Sequence, residues 1–184
     1  MSIDSSAENA SSTVLVITAP VEMIGTLAYS ARCRQTLGVL TELIATASDR
    51  LIISAPFLQL GVGTQTGVVD AALRAALQRG VTVELVSTGQ SLSRLDISSL
   101  RQASLGCLRI FQPTTNVLDP KSLGSHAKFC VSDGVAAYIG SANLTGAGLS
   151  GHIELGVLVR GPLATQVEEF WMLCQQLGLF AEVL

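Results

Sequence analysis

The sequence predicts an α/β protein with a mixed β-sheet that is flanked by helices on both faces. Apolar residues make up 48% of the chain and charged residues only 14%, as is typical of a sheet whose central strands are covered on both sides. Strand-like and helix-like segments alternate through the first half, which favours parallel strands joined by helical crossovers. In the second half, an Asp-Gly pair separates two strand-like runs and indicates an antiparallel hairpin.

The 184 residues are long enough for one domain and too short for two ordinary ones. Residues 1–13 are acidic, polar and serine-rich, and we expect a disordered leader there before a single domain over residues 14–184. The leader lacks the basic and apolar regions of a secretory signal. No apolar run approaches the length that crosses a bilayer, so we predict a cytoplasmic protein without membrane contact.

The elements of the first half follow from apolar periodicity and from the residues that end each run. The first strand ends shortly before Pro20 and is predicted to lie at a sheet edge. The second helix is expected to end at Gly80. Strands are predicted over 14–18, 51–55, 81–86 and 107–111, and helices over 35–47, 68–79 and 93–103.

The second half is predicted to form an antiparallel hairpin, a further strand and a final helix. The hairpin strands cover 127–132 and 135–139, with Asp133-Gly134 as the turn, and the further strand covers 153–159. The helix runs from Pro162 to about residue 177, with proline at its start and Gly178 after its end. Its apolar stripe is interpreted as core or dimer interface, and comprises Val167, Phe170, Trp171, Cys174 and Leu177.

The cysteines and the net charge limit the kinds of site that the chain can build. The four cysteines are widely spaced and form no CxxC pair, so we expect buried, reduced thiols and no metal or other cofactor. The net charge of −3 is unusual for a protein that holds nucleic acid through many phosphates. Any phosphate binding must therefore be local, or a partner must contribute positive charge.

The chemistry-bearing residues are concentrated between residues 126 and 154. His126 and Lys128 are two positions apart on a predicted strand, so their side chains share a face. The partner strand leads to Gly140, Ser141 and Asn143 at the same end of the hairpin. Glycine permits close backbone approach, and the hydroxyl and amide can donate hydrogen bonds. Together these groups predict an anion site with a nucleophile, for which a phosphate diester is the natural substrate.

The pattern resembles the HKD signature of the phospholipase D superfamily, in which HxK is followed by D and then by GSxN. Every position and spacing is filled, by His126, Lys128, Asp133, Gly140, Ser141 and Asn143. The resemblance covers about residues 35–178, includes the ISAPFL segment at 53–58, and places Glu154 at the family's acidic position. It implies a phospholipase D-like half-domain. Within the superfamily, residues 140–159 look most like the phospholipase D-like component of DISARM anti-phage systems.

The resemblance also implies a metal-independent, two-step mechanism. His126 would attack the phosphodiester and form a phosphohistidine, while Lys128, Ser141 and Asn143 hold the phosphate oxygens. Glu154 would accept a hydrogen bond from His126 and set its tautomer. Asp133 is predicted to be structural, through turn chemistry and a local salt bridge. Relatives often carry Asn where this chain has His152, which affects how Glu154 is positioned.

The mechanism needs a second histidine, and the chain has only one other, His152, outside any second HxK. Single-motif members of the superfamily resemble the bacterial Nuc-type endonucleases, in which two chains meet at one active site. We therefore predict a twofold dimer in which two copies of His126 face each other. His152 as an internal general acid is the less favoured alternative, and a polar residue at the rim of the site is its expected role.

Three functions remain open from the sequence. The leading one is hydrolysis of nucleic acid, preferably DNA, in prokaryotic anti-phage defence. The second is a phosphate- or nucleic-acid-binding subunit of a defence complex with little turnover, which the acidic net charge favours. The third is a lipid phosphodiesterase, which is disfavoured because no basic amphipathic helix is found.

Overall fold

The computed structural model describes residues 11–60, 67–105, 107–114 and 125–183. Helices and strands alternate as the apolar patterns predict, around one large β-sheet. The strands are β1 (Ser12–Thr18), β2 (Arg34–Gln35), β3 (Arg50–Ser54), β4 (Thr82–Val86), β5 (Leu108–Pro113), β6 (Phe129–Ser132), β7 (Ala136–Gly140), β8 (Glu154–Arg160) and β9 (Phe180–Glu182). The helices are α1 (Val21–Ser30), α2 (Thr36–Thr46), α3 (Gly67–Gln78), α4 (Gly89–Leu92), α5 (Ile97–Ala103), α6 (Gly146–Ser150) and α7 (Pro162–Gln176).

The sheet is mixed, as predicted, with nine strands in the order β2-β1-β8-β7-β6-β3-β4-β5-β9. Strands β3, β4 and β5 are parallel, which confirms the crossover pattern for that part of the first half. Strand β1 lies elsewhere, antiparallel to β8, and the short β2 pairs outside it. The prediction that the first strand is an edge strand is therefore wrong, because β8 pairs with its whole length on one side and β2 pairs with Val16 and Ile17 on the other.

Helices cover both faces of the sheet and produce two separate cores. The larger core unites α2, α3, α5 and α6 with one face, and the smaller core packs α7 against the other. Trp171 of α7 is 1% exposed and meets Phe111 and Phe180 edge to face, with ring centroids 5.3 and 4.9 Å away. The two-sided cover explains the low charge content, since few strand positions reach water.

Glu84 is a buried carboxylate at the centre of β4 that the apolar pattern does not reveal. It is 1% exposed, and it accepts hydrogen bonds from Arg50 (2.8 Å), Trp171 Nε1 (2.5 Å) and Gln175 (3.0 Å). Arg109 lies 3.3 Å from it. A buried charge is tolerated only when it is paired and hydrogen-bonded. Glu84 meets that condition and fixes α7 against the sheet.

Two element boundaries and one additional helix differ from the sequence-based expectations. The helix predicted over 93–103 begins at Ile97, because the Asp96 side chain accepts a hydrogen bond from Ser99 N and caps it there. Strand β1 begins at Ser12 and so overlaps the end of the expected leader over 1–13, and residues 1–10 lie outside the described residues. Helix α1 was not predicted. None of its residues is buried, so its sequence has no core-facing stripe.

The cysteines are all free, although only two of them are buried as expected. Burial raises the pKa of Cys130 to about 12 and also raises the pKa of Cys174. Cys33 and Cys107 are partly exposed, because both lie in connections outside the two cores. Deep burial therefore makes Cys130 chemically inert at neutral pH.

Candidate active site

The candidate site lies at the end of the sheet where β3, β4 and β7 finish and β6 and β8 begin. The strand register establishes this, since Ser54 at the end of β3 pairs with Phe129 at the start of β6. Phe129 in turn pairs with Ile139, and Gly140 pairs with Gly156 near the start of β8. The ISAPFL segment leaves the sheet at the same end, as expected from the sequence.

His126 and Lys128 lie side by side just before β6. Lys128 Nζ is 3.1 Å from His126 Nδ1 and donates to the His126 carbonyl oxygen over 2.9 Å. The two side chains therefore share a face, as predicted. The strand itself begins only at Phe129, so both residues belong to the segment that enters it, and the predicted start at residue 127 is wrong.

Lys128 is a buried cation, only 7% exposed, beside an exposed histidine. Burial lowers the pKa of Lys128, and the nearby negative charge of Glu154 acts in the opposite direction and raises it. A buried ammonium with few protein partners attracts an anion strongly, because it has lost much of its hydration. This arrangement suits a phosphate oxygen that binds between Lys128 and His126.

Ser141 and Glu154 form the second part of the site. The Ser141 hydroxyl donates a hydrogen bond to Glu154 Oε2 and accepts one from Leu155 N over 3.1 Å. His152 Nδ1 is 3.8 Å from Glu154 Oε1, and the His152 side chain is 67% exposed. Among the described residues, the side chain of Glu154 thus contacts Ser141 and His152, and the predicted hydrogen bond from His126 to Glu154 is not formed.

Asn143 brings an unpaired polar atom to the same loop. Its Oδ1 is buried and has no hydrogen-bond partner among the described residues. A buried acceptor without a donor costs about 1–3 kcal/mol, and the amide nitrogen of the same side chain is a donor that can serve an anion. Close packing fixes the loop, because a Cβ at Gly148 would lie 2.3 Å from the Asn143 carbonyl oxygen.

Gly140 is required by packing as well as by access to a ligand. A Cβ at Gly140 would lie 2.3 Å from the Tyr138 hydroxyl oxygen, and one at Gly156 would lie 2.6 Å from the Tyr138 ring. Tyr138 is 1% exposed and occupies the space that both glycines leave open. Of these two glycines, only Gly140 belongs to the sequence motif. The pairing of Gly140 with Gly156 across two strands could be recognised only from the register.

Asp133 lies at the opposite end of the hairpin and contributes to the fold, as predicted. Its carboxylate accepts hydrogen bonds from the backbone N–H groups of Ser48, Asp49 and Arg50, and from the Ser48 hydroxyl, over 2.8–3.0 Å. Burial alone would raise the pKa of Asp133, but these hydrogen bonds lower it below the ordinary value. The expected local salt bridge is replaced by these contacts, which join the hairpin to the start of β3.

An apolar groove of about 440 Å³ adjoins His126 and Lys128. Its sides are formed by the hairpin and by α7, where Leu163 is 44% and Phe170 53% exposed. The apolar stripe of α7, which was predicted to be core or dimer interface, is therefore partly buried and partly exposed. Trp171 and Cys174 are core residues, while Phe170 and Leu177 remain exposed.

Sequence comparison identifies the family of the chain. The family model described as "Cardiolipin synthase, PLD-like domain" matches residues 40–174, a range that includes every candidate site residue. The chain belongs to the phospholipase D-like family. No curated protein sequence matches it significantly.

Solved structures of phospholipase D-like proteins share this fold over nearly the whole chain. Nuc from Salmonella typhimurium, a phospholipase D family member, is 19% identical with a TM-score of 0.64, and the alignment covers 95% of this chain and 99% of that one. NucT from Helicobacter pylori is 12% identical with a TM-score of 0.66, covering 91% and 97%. At these identities the likeness demonstrates the fold alone, and it confirms the predicted phospholipase D-like architecture.

A third structural relative is much longer than this chain. Phosphatidylserine synthase from Haemophilus influenzae Rd KW20 is 13% identical with a TM-score of 0.70, and the alignment covers 96% of this chain but only 41% of that protein. Phosphatidylserine synthase, Nuc and NucT thus all share the fold of this chain. In the described part of this chain, none of the helices is long and apolar enough to span a membrane.

Proposed function

We propose that this protein hydrolyses phosphodiester bonds of nucleic acid, preferably DNA, through a phosphohistidine on His126 and without a metal ion. The observation that carries the proposal is the placement of the Lys128 ammonium 3.1 Å from His126 Nδ1, at the sheet end where Ser141 and Asn143 also lie. Family membership supports a phosphodiesterase-type reaction. Lys128 and Asn143 are proposed to bind the non-bridging oxygens and to stabilise their developing charge, and Ser141 to join them when its hydroxyl proton turns from Glu154 to the phosphate.

The first step forms a bond from His126 Nε2 to phosphorus and breaks the bond from phosphorus to the leaving oxygen, which takes a proton from a general acid. The attacking nitrogen must carry a free electron pair. While Lys128 donates to Nδ1, the ring proton of a neutral His126 resides on Nε2. A bound phosphate attracts the ammonium away from Nδ1 and so favours the reactive tautomer. In the second step, the group that acted as general acid takes a proton from water, the water oxygen bonds to phosphorus and the nitrogen–phosphorus bond breaks, which releases a phosphate monoester and regenerates both groups.

The general acid is proposed to be His126 of a second copy, which meets the first about a twofold axis. His152 is the other histidine of the chain, but it is exposed and lies beside Glu154. The apolar groove beside His126 supports a protein contact there, because Leu163 and Phe170 are large side chains left in water at the border of the site. A second copy that covers the groove would bring its own His126 to the same region.

We place this activity in cytoplasmic anti-phage defence. The support is the resemblance of residues 140–159 to the phospholipase D-like component of DISARM systems. Other defence proteins would then be the partners that bring the chain to nucleic acid, in agreement with its net charge of −3.

The second candidate function is a nucleic-acid-binding subunit with little turnover. It is favoured because the chain alone has little free positive charge with which to hold a polymer for cleavage, so that partners would have to supply it. Most described arginines pair with carboxylates, as Arg34 does with Glu42 and Arg109 with Glu182. Such neutralised arginines add little to a phosphate-binding surface.

The decisive experiment compares the purified protein with a His126→Ala variant on single- and double-stranded DNA, RNA and a fluorogenic diester, all in EDTA. We expect cleavage by the unaltered protein that is lost by at least about a thousandfold in the variant. A covalent phosphoenzyme should be trapped by acid quench and detected by mass spectrometry. Binding without turnover on every substrate would instead support the second function.

A further inference from the structure

A second cleft, of about 590 Å³, lies at the same end of the sheet as the candidate active site. It opens between the segments that follow β3, β4 and Asn143, and its lining residues are Phe57, Leu58, Gln59, Leu60, Gln90, Ser91, Arg94 and Thr145. The carboxyl ends of neighbouring parallel strands are the usual place for ligands in α/β proteins. This cleft occupies that place for β3 and β4.

The cleft and the active site share a wall. Gln59 N donates to the Leu144 carbonyl oxygen over 2.7 Å, and Leu144 directly follows Asn143 of the GSxN segment. On the other side, the buried Ser91 hydroxyl accepts from Leu58 N over 2.7 Å and donates to the Leu58 carbonyl oxygen over 3.1 Å. The cleft is therefore preformed and adjoins the loop that carries Asn143.

Arg94 gives the cleft an unneutralised positive charge. Among the described arginines, Arg94 and Arg32 make no side-chain hydrogen bond or ion pair with another described residue. The other seven donate hydrogen bonds to carboxylates or backbone oxygens; they are Arg34, Arg50, Arg74, Arg79, Arg101, Arg109 and Arg160. The exposed Arg94 guanidinium thus keeps all its donors for a ligand, and its fork matches phosphate oxygens.

The remaining lining suits an unpaired base. Phe57 is 38% exposed and presents an aromatic ring to the cleft. Gln59 and Gln90 are also exposed and carry amide groups that can donate and accept hydrogen bonds. Proteins bind single strands with clefts that hold both an aromatic ring and a cation, through base stacking and phosphate contact.

We propose that this cleft binds the nucleotide next to the scissile phosphate in a single-stranded polynucleotide, with Arg94 on its phosphate and Phe57 against its base. The proposal rests on the proposed nuclease function and adds its substrate class. It accounts for nucleic-acid binding by a chain with a net charge of −3, because one unpaired arginine beside the site supplies a local phosphate contact.

The test uses the full chain with His126→Ala to prevent turnover, and measures binding of a fluorescein-labelled single-stranded oligonucleotide by anisotropy. We expect Arg94→Gln to weaken binding about tenfold. The slope of log Kd against log salt should also become less steep by about 0.7, as for the loss of one phosphate contact on a single strand. Arg32→Gln is the matched control. It removes the same charge beside β2, at the far edge of the sheet, and should alter neither quantity.

A further variant tests the stacking contact. Phe57→Leu retains an apolar side chain and should preserve the melting temperature, yet it should weaken single-strand binding about tenfold. Equal affinity for a duplex of the same length, with no effect of Phe57→Leu, would overturn the single-strand assignment. Equal effects of Arg94→Gln and Arg32→Gln would overturn the cleft assignment. Arg94-dependent binding to anionic phospholipid vesicles, without oligonucleotide binding, would show a lipid headgroup as the ligand.

A fluorogenic small diester distinguishes failure of this inference from failure of the proposed function. The small substrate does not reach the cleft, so its hydrolysis by the unaltered protein tests the proposed function alone. If the unaltered protein does not hydrolyse it, the nuclease proposal fails, while the binding measurements still decide whether the cleft takes a single strand.

Discussion

Lys128 is the residue whose chemistry depends most strongly on its surroundings. It is buried beside the exposed His126, and burial lowers its pKa while Glu154 counteracts that effect. The protonated ammonium is the form that can bind phosphate oxygens. Activity should therefore decline at alkaline pH as Lys128 loses its proton, earlier than an ordinary lysine would require.

Replacing Glu154 by Gln should move this alkaline decline to lower pH. The substitution removes the negative charge that raises the pKa of Lys128, so the lysine loses its proton more readily. The measurement is the pH profile of kcat/KM for a small diester.

The control is Ser141→Ala, which removes the hydrogen-bond donor to Glu154 and keeps the carboxylate charge. It should lower the rate with little change in the alkaline limb. A decline in activity at the same alkaline pH in Glu154→Gln and in the unaltered protein would contradict the electrostatic coupling.

Lys128→Met should lower kcat/KM by about a hundredfold or more while leaving the fold intact.

At the scale of single residues, the sequence identified the groups of the candidate site but not their contacts. The spacing of His126 and Lys128 predicted a shared face, because alternation along an extended chain is a local property. The partners of Glu154 were not predictable in this way. They depend on how β8 and the loop around Ser141 meet in three dimensions.

The β6–β7 hairpin is the element that positions the site, and its turn anchors it to the rest of the sheet. Asp133 and Gly134 have φ angles of 53° and 64°, the two positive values that a type I′ turn requires. The Asp133 carboxylate accepts its hydrogen bonds from residues 48–50, next to β3. The turn thereby determines how the hairpin docks beside β3.

Replacing Asp133 by Asn should destabilise the protein by about 1–2 kcal/mol at neutral pH, because one acceptor oxygen and its charge are lost. Asn tolerates the left-handed conformation, so backbone strain is not added. The pKa of Asp133 is lowered in the folded state, and its stabilisation is present above about pH 4 and lost as the pH falls through the folded pKa. The measurement is the free energy of unfolding in urea as a function of pH.

Asp49→Asn is the control, since it removes the same charge from an exposed neighbour whose side chain makes no hydrogen bond with the described residues. Its free energy of unfolding should differ little from that of the unaltered protein. A difference between Asp133→Asn and the unaltered protein that persists unchanged below pH 3 would contradict the assigned role.

At the scale of elements, prediction succeeded where the signals were local. The Asp-Gly turn, the glycine after α3 and the Gly-Pro start of α7 are all set by short-range backbone preferences. Prediction failed for α1, which has no buried residue, and for β2 and β9, which have two and three residues. Such strands exist only because a neighbouring strand pairs with them.

The molecule as a whole leaves apolar surface next to the candidate active site. The groove beside His126 contains the exposed side chains of Leu163 and Phe170. Covering it with a second copy would remove this surface from water and bring two His126 residues together. Dimerisation and activity should therefore be lost together.

Phe170→Glu should convert the dimer to a monomer in sedimentation velocity and abolish hydrolysis, with the melting temperature largely preserved, because the side chain is 53% exposed. Leu105→Glu is the control. Leu105 is 77% exposed and precedes the start of β5, at the opposite end of the sheet from the site. A monomeric and fully active unaltered protein would exclude the dimer proposal.

Mixing experiments test whether each site uses both copies of His126. When the unaltered chain and His126→Ala are co-refolded in varied proportions, activity should follow the square of the unaltered fraction, since only the dimers with two histidines react. A linear dependence would show that one His126 suffices and would point to His152 as the second group.

The sequence by itself determined the family, the class of fold and the residues of the candidate site. These follow from short-range information, namely apolar periodicity, turn residues and the spacing of a local motif. Only the tertiary structure decided that Asp133 holds β3, that Tyr138 needs both Gly140 and Gly156, and that Arg94 and Phe57 flank the site. Each of these depends on contacts between segments that are distant in the chain, and those contacts are created by strand order and register, which no local pattern specifies.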